Sequence, residues 1–399
     1  MMKASPLNKK ILTPGILVLL VFMAAGAIAV IARFTGGIGY VTNLSNARPW
    51  GLWVGVDVAT GVALAAGGFT TAALAHILGK HYYEPITRPA LLTAALGYTF
   101  VVLGLLVDIG RSWAIWKPMF NWNTNSVLFE VAMCVMVYLN VLYIEFFPII
   151  AEQFKGKVNL PGLLSAFNGL TDWILTIGDA ILDKIMWIFI ILGVVLSCMH
   201  QSSLGSLMLV APTKLHPLWY TPILPLLFLT SAFAVGYPMV VFETTIATAS
   251  FKLDSEMNIL SPLTRITIVL LGIYMFLKLG DLAVRGTWIY LLDGTYQTNS
   301  FVVEMLFGVI VPWIMLLFTK IRNSKTGIFT AASLIVGGVV LNRINVFIVG
   351  YKPPLSENVY FPAPGEIFVT LGLIATLMFV YRIVVTYLPV LQESREVSP

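Results

Sequence analysis

Ten stretches of this chain are each long and apolar enough to cross a lipid bilayer, which takes about 20 mostly apolar residues per helix. They cover residues 13–33, 51–78, 90–110, 126–150, 184–200, 218–243, 263–283, 301–319, 327–349 and 367–390. Few folds are open to such a chain, because hydrocarbon offers the backbone no hydrogen bonds and a helix satisfies its own. Charged residues make up 11% of the sequence, against about 25% in soluble domains. That is too little polar surface to cover the molecule in water. A soluble enzyme, a nucleic-acid-binding protein and a disordered scaffold are excluded. The sequence reads as an all-α, multi-pass membrane protein of about ten helices in the bilayer.

The first run follows Lys3, Lys9 and Lys10 as a secretory signal would, but its length and the apolar chain beyond it favour a spanning helix. Lys and Arg set direction by collecting in inner loops. With the N-terminus inside, 14 of them fall on the inner side, 5 on the outer, and 5 in or at the ends of spans. Both termini are therefore expected inside. Trp50, Trp53, Trp113, Trp116, Trp122, Trp219 and Trp288 fall near outer helix ends, as an interfacial aromatic belt does. In the longest inner loop, residues 167–183 mix apolar and acidic side chains and read as an amphipathic helix lying on the membrane.

The chain also resembles itself at an offset of about 175 residues. Pro85-Ile86-Thr87-Arg88 recurs as Pro262-Leu263-Thr264-Arg265. Asp108 to Arg111 recurs as Asp281 to Arg285. The run from Thr124 to Glu130 recurs from Thr298 to Glu304. The offset covers four spans, an even number, so the copies point the same way and form parallel repeats. The expected organisation is a flanking helix and outer loop (1–49), a first four-helix bundle (50–217), a second (218–350) and a C-terminal flanking helix (351–399).

Charge inside a bilayer costs at least about 2.5–3.5 kcal/mol per group, so ionisable residues there are functional candidates. Asp57, Asp108, Arg111, Glu130 and His200 come from four helices of the first bundle and are expected in one outer layer. One arginine cannot pair three carboxylates. The layer reads either as a proton-handling site or as an ion-pair cluster that locks the bundle. In the second bundle Lys278, Asp281, Glu304 and Arg343 balance in charge, which favours a structural network, with a proton path as the sharper alternative. Glu145 and Glu243 are expected at inner helix ends, either as mouths of a proton route or simply solvated. His76 and His200 lie at opposite depths, so no pair of imidazoles can hold a b-type haem, and the sequence predicts none. Cys134 and Cys198 form no CxxC pair, which leaves no disulfide framework, c-type haem or cysteine-ligated cluster. No metal is expected.

Several runs carry a family likeness. They are Arg48-Pro49-Trp50-Gly51-Leu52-Trp53, then Asp57, Gly67-Gly68, Arg88-Pro89-Ala90-Leu91-Leu92, Asp108-Ile109-Gly110-Arg111 and Asn125 to Glu130. Together they resemble the NrfD/polysulfide-reductase membrane-subunit family. Met199 to Met208 followed by Lys214 to Trp219 is similar to the ten-span HybB branch of hydrogenase and multihaem-cytochrome complexes. The loop at 157–183 is longer than that branch leads one to expect, and the second half matches only in outline.

The resemblance implies a subunit without cofactors in the bacterial cytoplasmic (inner) membrane, not an enzyme alone. Its partners would be a periplasmic ferredoxin-like iron–sulfur subunit and a hydrogenase or multihaem cytochrome c. It would exchange electrons with menaquinone near the periplasmic face, with proton translocation in some members. Carried over to this sequence, His200 and Asp108 would meet the quinone, Ser202 and Ser203 would line the pocket mouth, Asp57 and Glu130 would relay protons, and Arg111 would organise the ion pairs. A secondary transporter built from parallel repeats is the competing reading. Against it, the prolines Pro212, Pro217, Pro222 and Pro225 and the charges lie away from the midplane.

Overall fold

The computed structural model describes residues 4–210, 212–254, 256–354 and 359–391. Lys3 and Arg395, both counted on the inner side, lie outside them. Among the described residues ten helices are long and apolar enough to span a membrane. They are α1 (Pro14–Gly36), α2 (Trp53–Ile77), α3 (Thr87–Asp108), α4 (Val127–Phe154) and α5 (Asn168–Leu207). The second half contributes α6 (Leu224–Phe251), α7 (Met257–Val284), α8 (Tyr296–Leu317), α9 (Lys325–Val349) and α10 (Pro364–Tyr387). Among the described residues there is no strand, only a bridge between Leu215 and Tyr351 that joins two loops. "Outer" denotes the face that carries those loops, following the charge asymmetry.

Helices α2, α6 and α9 are the most enclosed, and α1 and α5 the least. One apolar cluster runs through both sets of four helices, from Val58, Tyr98 and Tyr138 to Tyr274, Val309 and Phe347. Lipid gives helices no hydrophobic reason to associate, so close backbone approach at small residues does more of the work. A methyl on Gly308 would stand 2.4 Å from the Cα of Gly338, and one on Gly26 would stand 2.7 Å from the Cα of Gly372. These contacts seat α8 on α9 and α1 on α10.

Among the described residues four stretches of spanning helix are wound as π-helix: Trp53–Thr60 holding Asp57, Ala73–Ile77 holding His76, Leu306–Ile310 following Glu304, and Asn345–Val349 following Arg343. Such turns concentrate at functional positions.

The fifth span departs from the sequence reading. No separate amphipathic helix precedes it. Residues 167–183 feed into one continuous α5 of 40 residues that passes His200 and ends at Leu207. His200 therefore lies about 10 Å below the helix end rather than at it. Helix α4 likewise runs nine residues beyond Glu145, and α6 eight beyond Glu243. Both acids are thus inside their helices, not at solvated ends as expected. His76 is exposed near the end of α2, as the sequence suggested. The tryptophans divide: Trp113, Trp116, Trp122 and Trp288 are exposed as a belt requires, whereas Trp53 and Trp219 are buried.

Replacing Gly308 by Val would force α8 off α9, and overpacking of this kind costs about 1–3 kcal/mol. The expected outcome is a thermal midpoint lowered by several degrees in detergent, read by unfolding of the purified chain, with Gly337→Val as the unaffected control because its added methyl meets nothing.

Candidate functional site

The acids and bases of the first bundle fall into two groups, not one layer. Asp57 accepts from the Thr370 hydroxyl at 2.9 Å. It lies within electrostatic range of Asp108, which in turn senses Glu366 and Arg33. Arg33 reaches from α1 to the last turn of α3, donating to the carbonyls of Val107 at 2.6 Å and Ile109 at 2.8 Å. A cation there also meets the negative end of the α3 dipole. Glu366, fully buried in the first turn of α10, accepts from the Tyr360 hydroxyl and from the backbone N–H of Asn43 and Ala363. Burial and the bond to Glu366 hold the Tyr360 phenol above its ordinary range, which keeps it a donor. Arg111, expected to organise this layer, is exposed beyond the end of α3 and has no side-chain partner among the described residues. Arg33 stands in its place, for a geometric reason: α3 stops at Asp108, so Arg111 is not one helical turn along the same face.

The second group lies across α2 and α3 from the first. His200 is 1% exposed, its Nδ1 lies 3.2 Å from the Tyr98 hydroxyl, and its Nε2 has no partner. Tyr98 packs edge-on against Tyr138 with ring centres 4.5 Å apart. The next residue, Gln201, donates to the Val62 carbonyl at 2.7 Å and leaves Oε1 unpartnered. Ser203 donates to Glu130 at 2.5 Å. Ser202, one residue away and so turned by about 100°, bonds back to its own helix at Met199. The two serines therefore do not line one pocket mouth.

A cavity of about 400 Å³ lies between α1, α2, α3, α6 and α10. Its walls are largely apolar. Asp57 and Thr60 stand toward its outer end, and Thr93, Glu243, Tyr381 and Arg382 toward its inner end. Glu243 meets Thr93, while its Oε1 and the Tyr381 hydroxyl are buried without partners. Along α3, Thr93 lies eleven residues from Gly104, which packs on Asp57; the two ends are thus about 16 Å apart. Arg382 closes the inner end, donating to the carbonyls of Lys10 at 2.8 Å and Ile11 at 3.1 Å. Glu145 presses Oε1 against α5 at Gly193, where a methyl would stand 2.6 Å from it.

A polar network lies among α6, α7, α8 and α9. Glu304, 1% exposed, is ion-paired to Lys278 and also accepts from Trp219 at 3.0 Å, Asn342 at 2.8 Å and Asn345 at 2.7 Å. Arg343 donates to Asn342 at 2.7 Å and Ser231 at 2.9 Å and lies over the Phe228 ring. Asp281 bonds Arg285 at 2.7 Å and Thr221 at 2.7 Å. The two similar runs differ here. Ser126 caps α4 so that Glu130 is one turn in, whereas Thr295 caps α8 before the matching Thr298 and carries Glu304 deeper.

Several functional candidates escaped the sequence reading. Glu366 and Arg33 border apolar runs and pass for end residues, and Tyr98, Thr370 and Tyr381 look like ordinary span residues. Glu366 alone carried a signal, three residues after an Ala-Pro helix start where an acid faces free N–H groups.

Lys278→Met leaves a buried carboxylate without its cation, and such losses cost about 3–5 kcal/mol. The single variant is expected to unfold well below the parent in a detergent melt, and Lys278→Met with Glu304→Gln to recover most of the difference.

A family model described as "Polysulphide reductase, NrfD" matches residues 40–353. The chain is 36% identical over 396 residues to a protein of Nitratidesulfovibrio vulgaris, covering 97% of this chain and 96% of that one. It is 31% identical over 398 residues to the probable Ni/Fe-hydrogenase 2 b-type cytochrome subunit of Escherichia coli K12, covering 98% and 96%. It is 26% identical over 404 residues to the menaquinone reductase integral membrane subunit of N. vulgaris, covering 95% and 91%. The E. coli relative's name, a b-type cytochrome subunit, implies haem and overturns the expectation that a chain with these histidines holds none. The depth argument failed at its premise, because an iron can take one imidazole from a chain and its other ligand elsewhere. Among the described residues His200 presents a buried ring nitrogen, Nε2, without a partner.

Proposed function

The chain belongs to the NrfD polysulphide-reductase family, and on that premise we propose that it is the quinone-reactive membrane subunit of a respiratory complex in a bacterial inner membrane, exchanging electrons between an iron–sulfur partner docked on the outer face and menaquinone. The observation that carries the reading is the intramembrane cavity with Asp57 toward its outer end. A quinone there keeps its isoprenoid tail against the apolar walls and its head beside a carboxyl group. Electron transfer falls steeply with distance, so a head near the outer face suits a donor docked above it. The outer loops that follow α3 and α5 lie on that same face.

Reduction of the quinone takes two electrons and two protons, one proton to each carbonyl oxygen. In this reading Asp57, oriented by Thr370, passes a proton to the nearer oxygen, and Asp108 replenishes it. The reverse direction runs through the same groups. Glu243 and Glu145 are half-buried carboxyl groups of the inner half, and a proton supply from that side would enter through them. The Glu304 network is a fastening, because its carboxylate already has four partners; Asp281 is likewise held, by Arg285 and Thr221, so Asp281→Asn is expected to spare quinone turnover. The two bundles thus divide the work, with exchange in the first and fastening in the second. Were a haem bound to this chain, His200 would be the residue to hold it, through Nε2, and the group would supply one-electron transfer.

A second reading rests on the unpartnered His200 Nε2 and Gln201 Oε1: the quinone head sits against α5, with Tyr98 behind the imidazole and Ser203 and Glu130 above it. The two readings separate by mutation. Asp57→Asn is expected to lower menaquinol-analogue turnover of the purified complex by about 10²–10⁴-fold, the usual scale of a lost acid–base group. Assembly and cluster reduction should remain intact. Normal turnover in Asp57→Asn with loss in His200→Ala would move the head to α5.

A further inference from the structure

Helix α5 is 40 residues long, hence about 60 Å. The hydrocarbon layer is about 30 Å thick, and about 40–45 Å with headgroups. Even a tilt of about 40°, the upper end of the observed range, leaves the helix longer than the whole bilayer. With its outer end at Leu207, its first turns stand beyond the inner headgroups. One face of α5 is occupied by α4, through Gly178 against Phe147, Lys155 bonded to Asp179 at 3.0 Å and Asp172 accepting from the Gly156 N–H at 2.6 Å. The opposite face is bare.

That bare face has a register. Leu170, Ile174, Ile177, Ile181, Lys184 and Ile188 alternate by four and three residues, and all are exposed. The spacing persists to Val195. Alternation of three and four is the seam of a left-handed coiled coil, in which a second helix crosses at about +20°. Within the bilayer, lipid can cover such a seam. Below it, lipid cannot, yet Leu163 is 96% exposed, Trp173 59% and Leu170 53%. Contiguous apolar surface of this kind in water marks a protein contact.

We propose that this seam is the docking site for a helix of another membrane subunit, apolar at every third and fourth residue, that runs with α5 across the inner leaflet and out beyond it. Lys184 selects the occupant. In a parallel pair of two copies of this chain, the seam lysines would face each other as like charges at the edge of the bilayer. A partner helix with Asp or Glu at that level pairs the lysine instead. The proposal stands apart from the redox reading and does not depend on where quinone binds.

Site-specific photo-crosslinking of the full chain in its native membrane tests it. A benzoylphenylalanine is placed in turn at Ile174, Ile181 and Ile188 on the seam, and at Thr176 off it. The expected result is one adduct from the seam positions only. Mass spectrometry should map it to an apolar helix of a different subunit with an acidic residue level with Lys184. Lys184→Glu should then reduce the adduct, and Ile174→Glu with Ile181→Glu, outside the hydrocarbon, should cut co-purification of that subunit by about tenfold or more. A retained detergent melting point shows that neither variant has unfolded the chain. An adduct of twice this chain's mass would assign the seam to a second copy. Adducts with lipid alone, or equal adducts from Thr176, would also overturn the proposal.

Discussion

A charge buried in hydrocarbon has to be answered from within the protein, and much of this structure is arranged around that requirement. Glu304 is answered completely, by a cation and three neutral donors. Arg33 and Arg382 are answered by backbone carbonyls freed near helix or chain ends. Asp57 and Glu243 are answered only in part, and both line the cavity. The difference separates what fastens the molecule from what is free to exchange a proton. A fully bonded carboxylate has no vacancy for a substrate oxygen; a carboxyl group held on one side and open on the other has.

The same requirement explains how the two halves came to differ. Both begin a helix with a hydroxyl cap and carry an acid shortly after, and both end the preceding helix with an acid and an arginine. Starting α8 earlier draws Glu304 into the core, where only an ion pair can hold it, and Lys278 is there to do so. In the first half Glu130 stays near the surface and needs no such partner. The arginine of the second half lies four residues after its acid and bonds it; in the first half the helix has already ended.

The sequence carried the ten spans, because length and hydropathy are local properties. It carried the candidate acids of the first bundle as a set but not their grouping. Depth along a helix can be counted from the sequence, whereas the direction in which a side chain points around the helix depends on its neighbours. That is why Asp57 and His200 were placed in one layer although α2 and α3 stand between them. Helix ends were the other weakness. Residues 167–183 carry acids that argue against a buried span, yet Asp172 and Asp179 are satisfied by the α4–α5 connection and the helix continues through them. The haem expectation failed for a different reason: it assumed that one chain must supply both ligands.

The π-wound stretches have a consequence of phase. A residue in an α-helix turns the chain by about 100° while advancing it only about 1.5 Å. A stretch such as Trp53–Thr60 therefore acts as an angular offset built into α2, almost without effect on its length. Remove one residue there and the span would still reach across the bilayer. Everything beyond would be turned about the helix axis, with Gly67 no longer toward Val240 and Thr70 no longer toward Gly236. The length of this helix is a loose requirement set by the membrane, but its residue count is a tight one set by the neighbours it must face.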